Sequence, residues 1–216
     1  VAQRYLQRLL NHNWFNLVSI VGSSSTVGMN IRELPWALDE ERPQLPNITV
    51  LGLNDLDALV SELKEKRVSV IFSAIPNSIA NEVEKSLAEK GFCVISHASI
   101  HRLKGEVPLV IPDVNSDHLK ILESQSFGTG SLISCSNCMV VPIALTLYPL
   151  MSEYDFSTMK IITEQSLSGG GRKMLERGRS GLTIDSSIPG ESESIISELN
   201  RILGKKNEGI FQEANL

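Results

Sequence analysis

The sequence has few cysteines, no long apolar segment and no excess of basic residues, and each shortage excludes a class of protein. Its three cysteines, Cys93, Cys135 and Cys138, are too few and too unevenly spaced for the disulfide framework of a small secreted domain. The longest apolar run, Met139 to Met151, has 13 residues and two prolines, so it is too short to cross a bilayer and is expected to form a buried helix. Acidic residues outnumber basic ones 25 to 20, which argues against nucleic acid as the main partner. We therefore expect a cytoplasmic protein without a membrane or nucleic-acid partner.

The 216 residues have the composition of a globular protein, with 42% hydrophobic and 21% charged residues. Short β-branched apolar runs alternate with segments of helical period, which is typical of βαβ units and a mostly parallel sheet. The pattern predicts strands at 16–22, 47–53, 68–74, 93–99, 107–111, 131–135 and 159–166, and helices at 55–66, 77–90, 117–124 and 191–203. The fold class is therefore α/β, and a second domain is expected to begin after residue 135.

Cys138 follows a predicted strand and a short polar turn, at the start of the apolar run. The N–H groups and the positive end of the helix dipole favour a thiolate there, so Cys138 is a candidate nucleophile. Because Pro142 has no N–H to donate, the helix is expected to begin a residue or two after Asn137. A small buried side chain is the alternative for Cys138, and the C-x-x-C spacing with Cys135 leaves a redox dithiol open. The chain has no second ligand pair, so we expect no zinc site.

Several loops carry polar residues where a ligand could bind. Gln165 ends a predicted strand before Ser168, Gly169 and two more glycines, where the backbone can approach a substrate closely. The loops after two other predicted strands carry Ser73 and the run from Ser23 to Gly28, at ends where open α/β sheets bind nucleotides. No carboxylate for a ribose diol occurs in the second loop, which suits a ribose 2′-phosphate. Arg102 precedes a strand and could bind an anion, although each of these segments is equally compatible with an ordinary surface loop.

Taken in order, FSAIP, SHASIHRLKGEVPLVIPDVN, SCSNC and EQSLSGGG resemble aspartate-semialdehyde dehydrogenases of the archaeal and fungal branch. The resemblance implies a Rossmann-like dinucleotide-binding domain over residues 1–135. It implies an α+β catalytic and dimerisation domain of the glyceraldehyde-3-phosphate-dehydrogenase type over residues 136–216. Both domains are expected to be incomplete: the family's first strand and glycine loop would precede Val1, and its catalytic histidine would follow Leu216. None of the four histidines, His12, His97, His101 and His118, is expected to replace it.

The resemblance also implies a role for individual residues. Cys138 corresponds to the nucleophile and Gln165 to the residue that orients the acyl substrate. Asn137 corresponds to the neighbour of the nucleophile in the substrate pocket and Arg102 to the anion-binding arginine, while Glu191 or Glu193 would contact the substrate amino group. Cofactor contacts are implied for Ser23, Ser25, Ser73, Ser168 and Gly169, and no metal is implied. Ser194 stands where the family motif has a lysine, which weakens the expectation for phosphate binding.

The implied reaction is the reversible, NADP-dependent, phosphorylating oxidation of L-aspartate 4-semialdehyde to 4-aspartyl phosphate through a cysteine thioester. It belongs to lysine, threonine and methionine biosynthesis, and the complete protein is expected to be a homodimer or homotetramer. One alternative is a paralogue that reduces malonyl-CoA. Another is a non-catalytic fragment or pseudoenzyme that serves as a binding or dimerisation module. The chain alone is expected to be inactive.

Overall fold

A computed structural model describes the backbone of residues 1–154, 156, 158–182, 188–207 and 210–214. Side chains are described for these residues except 168, 173, 205–207 and 210–212. The chain forms two compact units, of which the first contains residues 1–98 and 125–132 and the second contains residues 99–124 and 133–216. Residues 99–124 therefore pack with the second unit, whereas the sequence analysis assigned them to the first domain. The cofactor-binding and catalytic roles of the two domains stay predictions.

The first unit consists of short parallel strands and amphipathic helices, as the alternating pattern predicts. Val70 pairs with Cys93 in one parallel pair of strands, and Ile20 pairs with Val50 in the other. The Asp55 carboxylate accepts a hydrogen bond from Ala58 N and caps the second helix. The elements in chain order are α1 (Ala2–Leu9), β1 (Ile20–Val21), β2 (Val50–Leu51), α2 (Leu56–Glu65), β3 (Val70–Ser73), α3 (Asn77–Glu89) and β4 (Cys93–Ser96).

Apolar residues of α1, β1 and β3 line a cavity of about 260 Å³ in the first unit. The ring of Phe72 on β3 contacts Tyr5 of α1 and Phe15, with centroids 5.1 and 5.4 Å away. On the other elements the buried side chains include Leu59 and Leu63 of α2. The contact between Tyr5 and Phe72 attaches α1 to β3.

The second unit has a parallel pair of strands covered by helices. Leu109 pairs with Ser134 in register. The elements are β5 (Leu109–Val110), α4 (Pro112–Asn115), β6 (Ser131–Cys135), α5 (Val140–Met151), α6 (Gly171–Arg179), α7 (Glu191–Ile202), β7 (Lys205–Asn207) and β8 (Ile210–Gln212), with β6 beginning in the first unit. The core is formed by Leu109, Ile111, Val114, Val140, Ala144, Leu147, Ile195, Leu199, Ile202 and Leu203.

Three elements of the second unit differ from their predictions. The predicted strand at 159–166 is irregular, and both Ile161 and Ile162 are exposed, so its alternating pattern does not come from one buried face. The predicted helix at 117–124 lies in the 3₁₀ segment Ser116–Ser124. Helix α5 was expected to be buried, but only Val140, Ala144 and Leu147 are. Val141 and Ile143 are partly buried, whereas Leu145, Tyr148, Leu150 and Met151 are exposed.

Candidate active site

Cys138 lies in the turn between β6 and α5, and its side chain is exposed. Helix α5 begins at Val140, so Pro142 is its third residue and its missing N–H costs no helical hydrogen bond. The helix thus begins late, as expected, but three residues after Asn137 instead of one or two. Asn137 organises the turn: its Oδ1 accepts from Met139 N at 2.9 Å and its carbonyl accepts from Val140 N at 3.0 Å. The Cys138 thiol also donates to Asn137 Oδ1 at 3.5 Å.

The structure brings Gln165 and Cys138 together, as the resemblance implies. Gln165 Nε2 donates to Cys138 Sγ across 3.4 Å. Gly169 has no side chain that would collide with the Gln165 amide: a Cβ added at Gly169 would lie 2.5 Å from Gln165 Nε2. Gly169 therefore acts on the site through Gln165, a contact that its assignment as a cofactor residue does not include. Its own predicted contact with a cofactor stays a prediction.

Arg102 holds the polypeptide that leads to Cys138. Its Nε donates to Cys135 O at 3.2 Å, and its Nη1 donates to Glu198 Oε1 at 2.9 Å in an ion pair. The Arg102 side chain is 14% exposed. The structure thus places Arg102 beside the Cys138 turn, where the resemblance locates it, with one of its nitrogens engaged by a carboxylate.

Glu198 is a site residue that the sequence analysis missed. Its side chain is 1% exposed, and besides Arg102 it accepts hydrogen bonds from Asn137 N at 2.7 Å and Ser194 Oγ at 3.2 Å. The helical period contained a signal, because Glu198 follows the buried Ile195 by three residues and therefore faces the core. From the sequence alone, an acidic residue in a helix with many polar residues is expected to face solvent, so the burial of Glu198 was not predicted.

Arg201 lies one turn after Glu198 and holds the loop that follows Arg102. Its guanidinium donates to the carbonyl oxygens of Lys104 at 2.6 Å and Val107 at 3.1 Å. Burial lowers the pKa of Arg201 from its ordinary value, and the nearby carboxylates of Glu213 and Glu106 act in the opposite direction. Because arginine keeps its charge even so, Arg201 holds these carbonyls with charge-assisted hydrogen bonds.

The two remaining substrate-site positions lie on α7. Glu191 is the first residue of the helix, and in the described part of the chain its carboxylate forms no hydrogen bond or ion pair. Its predicted contact with a substrate amino group stays a prediction. Ser194 is engaged by Glu198, so the hydroxyl that replaces the family's lysine completes the set of donors around a buried carboxylate.

The predicted cofactor residues lie in both units. Ser23 and Ser25 are exposed in the loop after β1, with their hydroxyl oxygens 2.9 Å apart. Ser73 is buried at the carboxyl end of β3, where its carbonyl accepts from His97 N at 3.1 Å. The side chain of Ser168 lies outside the described residues. The roles of all these residues stay predictions.

Two of the four histidines are buried in the second unit. His118 is 1% exposed, and its ring nitrogens contact Asn115 Nδ2 at 2.9 Å and Gly204 O at 3.1 Å, so it has a structural role. His101 is fully buried. Within the described ranges, no group of three or more histidine, cysteine, aspartate or glutamate side chains is arranged to hold a metal ion. Among the same residues, no helix has the length and apolar character needed to span a membrane.

Comparison with known proteins connects this chain to one family. The model of the semialdehyde dehydrogenase NAD-binding domain matches residues 1–122. The chain is 35% identical to aspartate-semialdehyde dehydrogenase from Archaeoglobus fulgidus over 96% of this chain and 59% of that protein. It resembles the crystal structure of Candida albicans aspartate semialdehyde dehydrogenase with NADP, with a TM-score of 0.76, 26% identity and coverage of 99% of this chain and 60% of that one.

A relative with a different activity also matches. The malonyl CoA reductase (NADP) of Metallosphaera sedula is 31% identical over 150 residues, which cover 66% of this chain and 41% of that protein. The chain spans about three fifths of the length of two aspartate-semialdehyde dehydrogenases that it matches, those of Archaeoglobus fulgidus and Methanothermobacter thermautotrophicus. These similarities agree with the expected Rossmann-like α/β fold, which is confirmed.

Proposed function

The chain belongs to the semialdehyde dehydrogenase family, and from this premise we propose that its protein is an NADP-dependent aspartate-semialdehyde dehydrogenase. The reaction is the reversible, phosphorylating oxidation of L-aspartate 4-semialdehyde to 4-aspartyl phosphate, a step in lysine, threonine and methionine biosynthesis. One observation carries the proposal: an exposed thiol stands at the start of an apolar helix, 3.4 Å from the amide nitrogen of Gln165. This pairing suits covalent chemistry on a carbonyl group.

Cys138 performs the bond-forming step. Its thiolate attacks the aldehyde carbon, and a C–S bond forms while the carbonyl oxygen takes the negative charge. After oxidation of this adduct, Cys138 carries the acyl group as a thioester. A phosphate oxygen then attacks the acyl carbon, and the C–S bond breaks to return the thiolate and release the acyl phosphate. Gln165 Nε2 lies against the sulfur and is placed to donate to the carbonyl oxygen during attack.

The loop after β1 suits a phosphorylated nucleotide. The Ser23 and Ser25 hydroxyls are exposed there, and no carboxylate accompanies them between Gly22 and Gly28. Hydroxyl donors without a carboxylate fit a ribose 2′-phosphate better than a ribose diol. We assign Ser23 and Ser25 to the adenosine ribose of NADP, and Ser73, Ser168 and Gly169 to the rest of the cofactor. When bound, NADP supplies the hydride acceptor or donor for the reaction.

The experiment uses the complete product of the reading frame that encodes this chain. We expect continuous formation of NADPH from aspartate semialdehyde only when NADP and phosphate are both present, because without phosphate the reaction stops after one turnover at the thioester. Cys138→Ala should lower this rate by at least about a thousandfold, because the thioester no longer forms. The control is Cys93→Ala, which removes a half-buried thiol on β4 in the other unit and should leave the rate within about twofold of wild type.

Two results would contradict the mechanism. Wild-type turnover by the Cys138→Ala protein would exclude Cys138 as the nucleophile. Loss of turnover in Cys135→Ala, equal to that in Cys138→Ala, would favour the dithiol alternative.

Malonyl-CoA reduction is the second candidate function. Two observations favour it: the similarity to the Metallosphaera sedula enzyme and the serine at position 194. NADPH oxidation with malonyl-CoA in the absence of phosphate would establish it, whereas phosphate-dependent turnover of aspartate semialdehyde establishes the first candidate. A folded complete product that binds NADP but turns over neither substrate would identify a non-catalytic binding or dimerisation module. Assaying residues 1–216 alone beside the complete product tests the expected inactivity of the chain.

A further inference from the structure

One buried carboxylate connects the segment that carries Arg102 with the turn that carries Cys138. Glu198 accepts from Arg102 Nη1 at 2.9 Å through Oε1, and from Asn137 N at 2.7 Å through Oε2. Its side chain is 1% exposed, so both contacts are shielded from water. Hydrogen bonds to a charged group are stronger than those between neutral groups, and shielding from water strengthens them further.

The ion pair holds the two backbone groups on either side of Ser136. Arg102 Nε donates to the carbonyl of Cys135, and Glu198 accepts from the N–H of Asn137. Because the carbonyl of Cys135 and the N–H of Asn137 are both hydrogen-bonded, the backbone at Ser136 between them is held in one orientation. The Asn137 side chain then orients the next residues of the turn, since its Oδ1 accepts hydrogen bonds from Met139 N and from the Cys138 thiol. The position of the sulfur therefore depends on Glu198 through one residue.

A role in stability alone does not account for this arrangement. Replacing a buried ion pair by apolar side chains is often neutral or stabilising, because desolvation offsets most of the attraction. What Glu198 provides is geometry, since a carboxylate of this length reaches Arg102 and Asn137 N together. Ser194 Oγ adds a third donor at 3.2 Å and holds the same oxygen that faces Arg102.

We propose that Glu198 is a positioning residue that orients the Cys138 turn by binding Arg102 and the Asn137 N–H at the same time. It contacts no reacting atom in this account and acts through Asn137. The inference rests on the proposed function only in taking Cys138 as the nucleophile.

The variant Glu198→Asp separates reach from charge. Aspartate keeps a negative charge beside Arg102, so no buried cation is left alone, but it is one methylene shorter and holds only one of the two contacts. In the complete protein we expect kcat to fall by about tenfold, with an unchanged KM for NADP and cooperative unfolding retained. A second variant, Glu198→Gln, keeps the length and loses the charge, and it should also lower kcat, because its NH₂ faces a donor on one side.

A second readout does not depend on turnover. In Glu198→Asp, amide hydrogen exchange at Asn137, followed by NMR, should accelerate by about tenfold, while that of core amides such as Leu199 stays at the wild-type rate. The matched control is Glu40→Asp, which shortens a carboxylate in an exposed ion pair with Arg4 in the other unit. It should change neither kcat nor exchange at Asn137.

The positioning role of Glu198 and the proposed dehydrogenase function can fail separately. Wild-type kcat and wild-type exchange at Asn137 in Glu198→Asp would overturn the positioning role. If Glu198→Asp matches wild type and only Glu198→Gln is impaired, Glu198 merely neutralises Arg102, and the inference is wrong. Accelerated exchange at Asn137 in a protein that does not turn over aspartate semialdehyde would support the positioning role and count against the proposed function.

Discussion

The room around the Gln165 amide is set by a residue without a side chain. A Cβ at Gly169 would lie 2.5 Å from Gln165 Nε2 and 2.7 Å from its Cδ, both at the far end of a flexible side chain. The backbone at Gly169 has no positive φ, so alanine brings no backbone strain. A substitution there therefore moves the amide and leaves the fold intact.

We expect Gly169→Ala to lower turnover by about tenfold or more, because it displaces the Gln165 donor from Cys138. Gly105→Ala is the matched control, since no atom lies within 4 Å of a Cβ at that position and its φ is ordinary. Adding Gly169→Ala to a Gln165→Ala protein should have no further effect on the rate. A further loss of the same size in that background would show that Gly169 acts by another route.

At the residue scale, side chains in a motif were predictable and those that act through packing were not. Asn137, Cys138 and Gln165 stand in short polar segments after predicted strands, so their chemistry was visible, and the structure places them in contact. Glu198 was hidden, because its importance depends on Arg102, 96 residues away in the chain. Only the folded chain brings such distant partners together.

At the scale of elements, α1 is attached to the first unit by polar contacts as well as by Tyr5. Arg4 forms a 2.6 Å ion pair with Glu40, and Gln3 exchanges two hydrogen bonds with the backbone of Pro35 and Ala37. The hydrogen bond from Arg4 is the main reason that the pKa of Glu40 is lower than its ordinary value. The carboxylate form is thus favoured in the folded state.

The sign of the resulting pH dependence follows from that direction. The folded-state pKa of Glu40 is depressed, so its contribution is fully present above the ordinary glutamate pKa and is lost as the pH falls through the lowered value. Thermal unfolding should show Glu40→Gln slightly less stable than wild type at neutral pH and equal to it in strong acid. The effect is small because the pair is exposed. A difference that persists unchanged in acid would contradict this account.

The elements that were predicted well have one buried face each. Helices α2, α3 and α7 follow their apolar periods, and Gly91 closes α3 with a φ of +97°. The prediction of a strand at 159–166 was wrong, because alternating apolar residues indicate a strand only when one face of the segment is buried. Helix α5 was predicted to be buried from its apolar composition alone, which does not show how many of its faces are covered.

At the scale of the whole molecule, the exposed side of α5 bears on the expected homo-oligomer. Leu145 and Tyr148 are 42% and 51% exposed and lie three residues apart on one helical face. Exposed apolar side chains grouped on one face are typical of association surfaces. We therefore propose this face as part of the subunit interface.

The test is the oligomeric state of the complete protein by light scattering after gel filtration. We expect a dimer or tetramer for wild type, and a smaller species for Leu145→Glu, because a charge at an apolar interface is costly. Ile79→Glu, at a side chain of similar exposure on α3 in the other unit, should keep the wild-type mass. A monomeric wild type, or an unchanged mass for Leu145→Glu, would contradict the proposed interface.

Composition and periodicity predicted the α/β class of the molecule, and ordered motifs predicted its family. The division into two units was less predictable: residues 99–124 precede β6 in the chain but pack with α5 and α7, which follow it. Sequence order alone gives no sign of this, because the contacts that decide it, such as those of Arg102 and Arg201, join distant segments.

The central claim is that Cys138 carries the acyl group. The most direct test is mass spectrometry of the complete protein, quenched in acid after incubation with aspartate semialdehyde and NADP in the absence of phosphate, so that the reaction stops at the acylated enzyme. We predict an aspartyl thioester on the peptide that contains Cys138, which disappears when phosphate is added and does not form in Cys138→Ala. An acyl adduct on Cys135 or Cys93 instead, or turnover without any cysteine adduct, would contradict the account.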